Sequence, residues 1–168
     1  MPSSTPAAAA DEGAPAQAPA SLALERFLPY RLSYTAGIVS EAIAAQYRDS
    51  FGLSIPEWRV LAHIAERSGI TQQEIGLRAR MDKVAVSRAT LALRARGLIA
   101  RRQNPLDRRS RLLLLSKSGR GLYAAIAPRA LELERAVFRE FAPEELAALA
   151  QTLRRIDEAA ARALGERP

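Results

Sequence analysis

The sequence predicts a mainly α chain with one small β-hairpin. Three observations carry that expectation. Apolar residues recur at steps of three and four through most of the chain. Ser, Thr, Asp and Pro stand where those periodic stretches begin, and Gly where several end. The period gives way to short extended runs only around residues 98–115.

Residues 1–20 are mostly Ala, Pro, Ser and Gly without periodicity, and are expected to form a disordered tail. From Leu28, the positions Leu32, Ala36, Val39, Ile43 and Tyr47 mark one face of a long helix ending at Phe51-Gly52. Pro56 opens a second helix with the stripe Trp58, Leu61, Ile64 and Ala65, stopped by Gly69. Thr71-Gln72-Gln73-Glu74 has capping-box spacing and starts a short helix reaching Arg80. Asp82 caps the next helix, which runs to Gly97. Helix, short turn, helix is the outline of a helix-turn-helix.

Residues 98–103 and 111–115 flank a turn containing Asn104 and Pro105, so they read as a hairpin with an arginine-rich tip. A hairpin directly after a helix-turn-helix is a wing. Ser116 opens another helix, interrupted or bent near Pro128 and continuing to about residue 141. Pro143 begins the last one, whose seam Leu146, Leu149, Leu153, Ile156, Ala160 and Ala163 should pack on another helix, with a second subunit as its source. The expected order is therefore a tail (1–20), an N-terminal dimerisation helix (21–52), a winged helix-turn-helix (53–115) and C-terminal dimerisation helices (116–168).

Composition narrows the function. The 168 residues are 48% apolar and carry a net charge of +7, enough for one core with helical appendages. No apolar run approaches the roughly 18 residues of a membrane span, and no signal-peptide pattern is present, so a cytoplasmic location without membrane contact is expected. Cysteine is absent, which removes disulfides, thiolate chemistry and thiolate-bound metal. With His63 as the one histidine, no nucleophile–base set can be assembled; no catalysis, metal or cofactor is expected.

The charge is not spread evenly. Residues 71–111 hold eleven basic and three acidic side chains, a net of +8, while the rest of the chain nets −1. Ten of the eleven are Arg, whose planar fork suits phosphate and base edges. A solvated basic face is the plain alternative; a double-stranded DNA partner is the reading preferred.

Ile55-Pro56-Glu57-Trp58-Arg59-Val60-Leu61, Met81-Asp82-Lys83-Val84-Ala85-Val86-Ser87-Arg88, Arg96-Gly97-Leu98-Ile99 and the wing Asn104-Pro105-Leu106-Asp107-Arg108-Arg109 follow one another in a characteristic order. With Leu112 to Leu115, Ser116 and Gly119 they resemble the MarR family of bacterial transcription regulators, winged-helix dimers that bind palindromic operators. Asn104 and Ser116 stand where that family usually has Asp and Thr, substitutions that keep turn and cap chemistry.

On the helix capped by Asp82 two apolar seams compete, Val84-Leu91-Leu98 and Val86-Ala89-Leu93. Periodicity leaves both open; the resemblance implies that the second is buried and that Val84, Ser87, Arg88 and Leu91 face the major groove. Arg88 can chelate guanine or a phosphate, Ser87 can bond a base edge or phosphate, and Val84 and Ala85 suit a thymine methyl. Gln72 and Gln73 at a helix start offer donors to phosphate, and Lys83, Arg108 and Arg111 add charge. The resemblance assigns minor-groove contact to Arg109, with Asp107 fixing its guanidinium.

The resemblance further implies a small, often aromatic and acidic effector that releases DNA. Candidates are Arg31, Ser33 and Tyr34 on the first helix and Trp58, Arg59 and His63 on the second: Arg31 to pair a carboxylate, Trp58 to stack a ring or to serve as core. The opening Leu28-Pro29-Tyr30-Arg31-Leu32-Ser33 is similar to members linked to aromatic-acid or pyridine-carboxylate catabolism. The chain is thus expected to be a ligand-responsive homodimeric repressor. A nucleoid-type protein binding DNA without sequence preference is the alternative.

Overall fold

In the computed structural model, which describes residues 22–165, six α-helices and one antiparallel hairpin follow a short 3-10 turn at Leu24–Arg26. The helices are α1 (Leu28–Phe51), α2 (Ile55–Glu66), α3 (Gln72–Ala79), α4 (Lys83–Ala95), α5 (Lys117–Val137) and α6 (Pro143–Ala163); strands β1 (Ile99–Gln103) and β2 (Arg111–Leu115) lie between α4 and α5. The expected tail at 1–20 lies outside the described residues. The chain divides into two units, Met1–Thr35 and Ala36–Pro168.

Start signals do local work in the second unit. Ser54 and Thr71 each form a full capping box, with Glu57 and Glu74 respectively. Asp82 Oδ1 accepts the Ala85 N–H at 2.8 Å, and Ser116 Oγ accepts that of Gly119 at 3.0 Å. Between α3 and α4 the chain turns in three residues, Arg80 taking the left-handed conformation (φ 49°) while the Met81 N–H reaches the Gly76 carbonyl. Gly97, at φ 68°, ends the segment after α4 and sends the chain into β1.

The core joins Val60, Leu61 and Ile64 of α2, Ile75 of α3, and Val86, Ala89 and Leu93 of α4 to Leu98, Ile99 and Leu113 of the hairpin region and Ile126 of α5. The Val86-Ala89-Leu93 seam is thus the buried one, while Val84 and Leu91 stay exposed. Leu98 departs from its expected seam: it lies past Gly97, where the reversed chain tucks it into the core. On α2, Val60 is fully buried and Trp58 and Ala65 are half-buried, because the helix is packed on several sides, by α3, α4, β2 and α5.

The hairpin pairs Ile99 with Leu115 through to Gln103 with Arg111. Ile70 adds a bridge on the far side of β2, its carbonyl accepting the Leu113 N–H at 2.8 Å. This bridge ties the segment before α3 to the wing. Two helix limits differ from expectation. α3 stops at Ala79, and α5 runs through Pro128 as one helix but ends at Val137 rather than near 141. Phe138 and Phe141, packed edge to face with centroids 6.0 Å apart, fill the turn before α6.

In the first unit, Arg31 lies 5.5 Å over the Tyr34 ring and Tyr30 stacks on Tyr34 at 6.0 Å. Its large apolar residues, Leu22 to Tyr34, are exposed.

Candidate nucleic-acid interface

The capping box of α3 places Thr71, Gln72 and Gln73 at the mouth of a cleft of about 740 Å³, whose other wall is the wing with Arg101, Arg109 and Arg111. A second hollow, about 530 Å³, shares Gln72, Gln73 and Leu77 and reaches Lys83 at the start of α4. Two adjoining concavities therefore connect candidates that lie far apart in sequence. Lys83, Val84, Ser87 and Arg88 are exposed on α4, and Ala85 is half-buried. Asp107, Arg108, Arg109 and Arg111 are exposed on the wing.

Gln73 is exposed, but Gln72 is half-buried, and its Nε2 lies beneath the surface without a hydrogen-bond partner. The Thr71 backbone N–H, and then its hydroxyl, bond the Glu74 carboxylate and hold its pKa below the ordinary value. The α3 start is thus locked by an ionised cap.

The wing tip corrects one expectation. Asp107 does not hold the Arg109 side chain; its Oδ1 accepts the Arg109 backbone N–H at 3.0 Å, and its carbonyl accepts from Ser110. A seven-residue connection has to turn, and an Asp side chain bonded two residues ahead is how it turns. The arginine is left facing outward. Arg96 is also no free surface cation: its guanidinium donates to the Phe51 and Gly52 carbonyls, 2.8 Å each, and so caps α1 from the end of α4. Arg101, exposed on the cleft wall, joins the candidates, although only its charge marks it in the sequence.

The second group of effector candidates is differently placed. Trp58 lies among Tyr47 and Tyr123, centroids at 5.5 and 5.8 Å, the latter nearly parallel. Its stacking is therefore made by the protein's own rings. Burial raises the Tyr47 hydroxyl above its usual pKa, with Arg59 opposing. His63 is half-buried and Arg59 exposed. In the other unit, Arg31, Ser33 and Tyr34 are exposed.

Residues 51–110, the span from the end of α1 through the wing tip, match the MarR family model. A transcription regulator of the helix-turn-helix type from Bacillus subtilis strain 168, YwoH, is 26% identical over 131 residues, covering 78% of this chain and 94% of that one. Through its helix-turn-helix and wing the chain is similar to the MarR family. A MarR-family regulator from Silicibacter pomeroyi superposes with a TM-score of 0.70 at 26% identity, over 82% of this chain and 92% of that chain. CouR from Rhodococcus jostii RHA1, solved with p-coumaroyl-CoA bound, gives 0.71 at 25% identity, over 81% and 95%. Members of the MarR family are transcriptional regulators rather than enzymes. Among the described residues of this chain, no helix is long and apolar enough to cross a membrane.

Proposed function

We propose that this chain is a MarR-family homodimeric repressor that binds a palindromic operator and is released by a small aromatic acid or a derivative of one. The observation that carries the reading is the continuous arginine-rich relief formed by α3, α4 and the wing, with Val86, Ala89 and Leu93 buried behind it. In this reading Ser87 and Arg88 address the major groove, Arg109 the minor groove, and Gln73, Lys83, Arg108 and Arg111 the phosphates. The exposed residues Leu149, Leu153 and Ile156 on α6 support dimerisation, because an apolar seam on a surface helix calls for a partner. The effector class is supported by the exposed guanidinium of Arg31 and by the aromatic acyl thioester held by CouR.

Selection from a random duplex pool tests the operator. An inverted repeat with half-sites about one turn (~34 Å) apart is expected, and enrichment of no sequence would favour the nucleoid-type alternative. Titrating that complex with benzoate and cinnamate series tests the effector. Arg31→Ala should keep DNA affinity and lose release, since removing a ligand's charge partner removes its differential affinity for the two states. Joint loss of DNA binding and dimerisation in that variant would make Arg31 a structural residue instead.

A further inference from the structure

The cleft between α3 and the wing has a feature that its charge does not explain. Its walls carry two strongly exposed leucines, Leu77 on α3 at 70% and Leu106 on the wing tip at 95%. Around Leu106 the loop's hydrogen bonds are turned inward. Asn104 Oδ1 accepts the Leu106 N–H at 3.0 Å, and Asn104 Nδ2 donates to Ser110 Oγ at 2.8 Å. Gln103 Nε2 donates to the Arg108 carbonyl at 2.7 Å, and Asp107 takes the Arg109 N–H. These bonds hold the loop in one shape and leave a leucine at its apex.

A lone surface leucine is ordinary. Two of them on opposite walls of one cleft, with Arg101, Arg109 and Arg111 on the wing wall, form a mixed surface of cationic and apolar groups. A DNA strand matches that mixture. Its phosphates meet arginines, and its deoxyribose carbons, which form the walls of the minor groove, present apolar surface to leucines. Through Gln72, Gln73 and Leu77 the cleft adjoins the hollow that reaches Lys83 at the start of α4, which gives a strand a path from α4 to the wing.

We propose that Leu77 and Leu106 grip a DNA strand by its deoxyribose faces, with Leu106 inside the minor groove, and so supply a share of the affinity that salt does not weaken. The inference rests on the DNA-binding reading above. Arginine–phosphate contacts release counterions and lose strength as salt rises, whereas apolar contact releases none. The two contributions separate in one titration.

The experiment measures dissociation constants for the full chain and its variants on the duplexes enriched by selection, from about 50 to about 300 mM NaCl. Leu106→Ser should weaken binding about tenfold, or ~1.4 kcal/mol, at every salt concentration, leaving the salt slope unchanged. Leu77→Ser should act in the same direction by roughly threefold to tenfold, as partial burial of a leucine implies. Leu106→Met, similar in volume and polarity, should bind like the parent chain, and Arg109→Ala should reduce the slope by about one. Binding by Leu106→Ser within about twofold of the parent, or a slope shifted as in Arg109→Ala, overturns the proposal while the DNA-binding reading stands. Failure of the parent chain to bind any duplex overturns both.

Discussion

At the start of α3, Thr71 and Glu74 satisfy each other's backbone and side-chain groups, and the carboxylate is held ionised by two hydrogen bonds. Because the folded carboxyl releases its proton at lower pH than the unfolded one, its stabilisation is complete above the ordinary Glu range near ~4.3. It is lost as pH falls through that range toward the lowered folded value. Glu74→Gln should therefore lower Tm at neutral pH, where the ionised cap contributes fully, and flatten the acid limb so that the two curves converge at low pH; an unchanged acid limb would show that the cap is not coupled to folding. On the DNA side, Arg88→Ala should cost roughly 1–3 kcal/mol if the guanidinium reads a base, and more than Arg109→Ala, whose effect should be largest on A·T-rich flanks. Parent-like binding by both variants would remove α4 and the wing from the interface. The residue scale is also where the sequence was least legible. Asp107 and Arg96 announce only their charge; whether a side chain turns back on a carbonyl or N–H depends on where the chain brings that group, 45 residues away for Arg96 and Phe51.

Element by element, the caps and stops were readable because each is a local reaction between neighbours: Thr71, Asp82, Ser116 and Gly97 act within a few residues of their own positions. Long-range pairing was not readable. The Ile70 bridge to Leu113 has no periodic signature, since one residue makes no pattern. Proline removes a donor and crowds the preceding turn, yet α5 continues through Pro128 without interruption. The junction between the wing and α5 gives this scale its test. A Cβ on Gly119 would collide with the Leu98 carbonyl oxygen, whose group also accepts the Ser116 N–H, so neither side of the contact can retreat freely. Gly119→Ala should therefore lower stability by about 1–3 kcal/mol or more in chemical denaturation. Gly121→Ala, with open space around its position, is the control and should be nearly neutral or slightly stabilising. Equal behaviour of the two would contradict the packing described.

For the whole molecule, the two concavities join α3, α4 and the wing into one basic relief, but one copy offers a single reading helix. The proposed two-fold recognition calls for a second copy, and the exposed seam of α6 is a surface for it. Leu153→Asp should yield monomers by light scattering at micromolar concentration while the winged helix-turn-helix keeps its helical signal, because Leu153 lies outside the core cluster. A dimer of unchanged mass would shift the interface away from α6. The apolar period of α6 was legible in the sequence and is exposed in the fold; what covers it was not, because one sequence carries no information about the angle between two copies. The proposed function comes down to sequence-specific binding by a dimer. Its most direct test is competition at ~150 mM salt between the selected inverted repeat and a scrambled duplex of the same composition, with stoichiometry read from mass. A preference on the order of 10³ or more with two chains per duplex is the predicted result. Equal affinity for the two duplexes, or one chain per site, would contradict it.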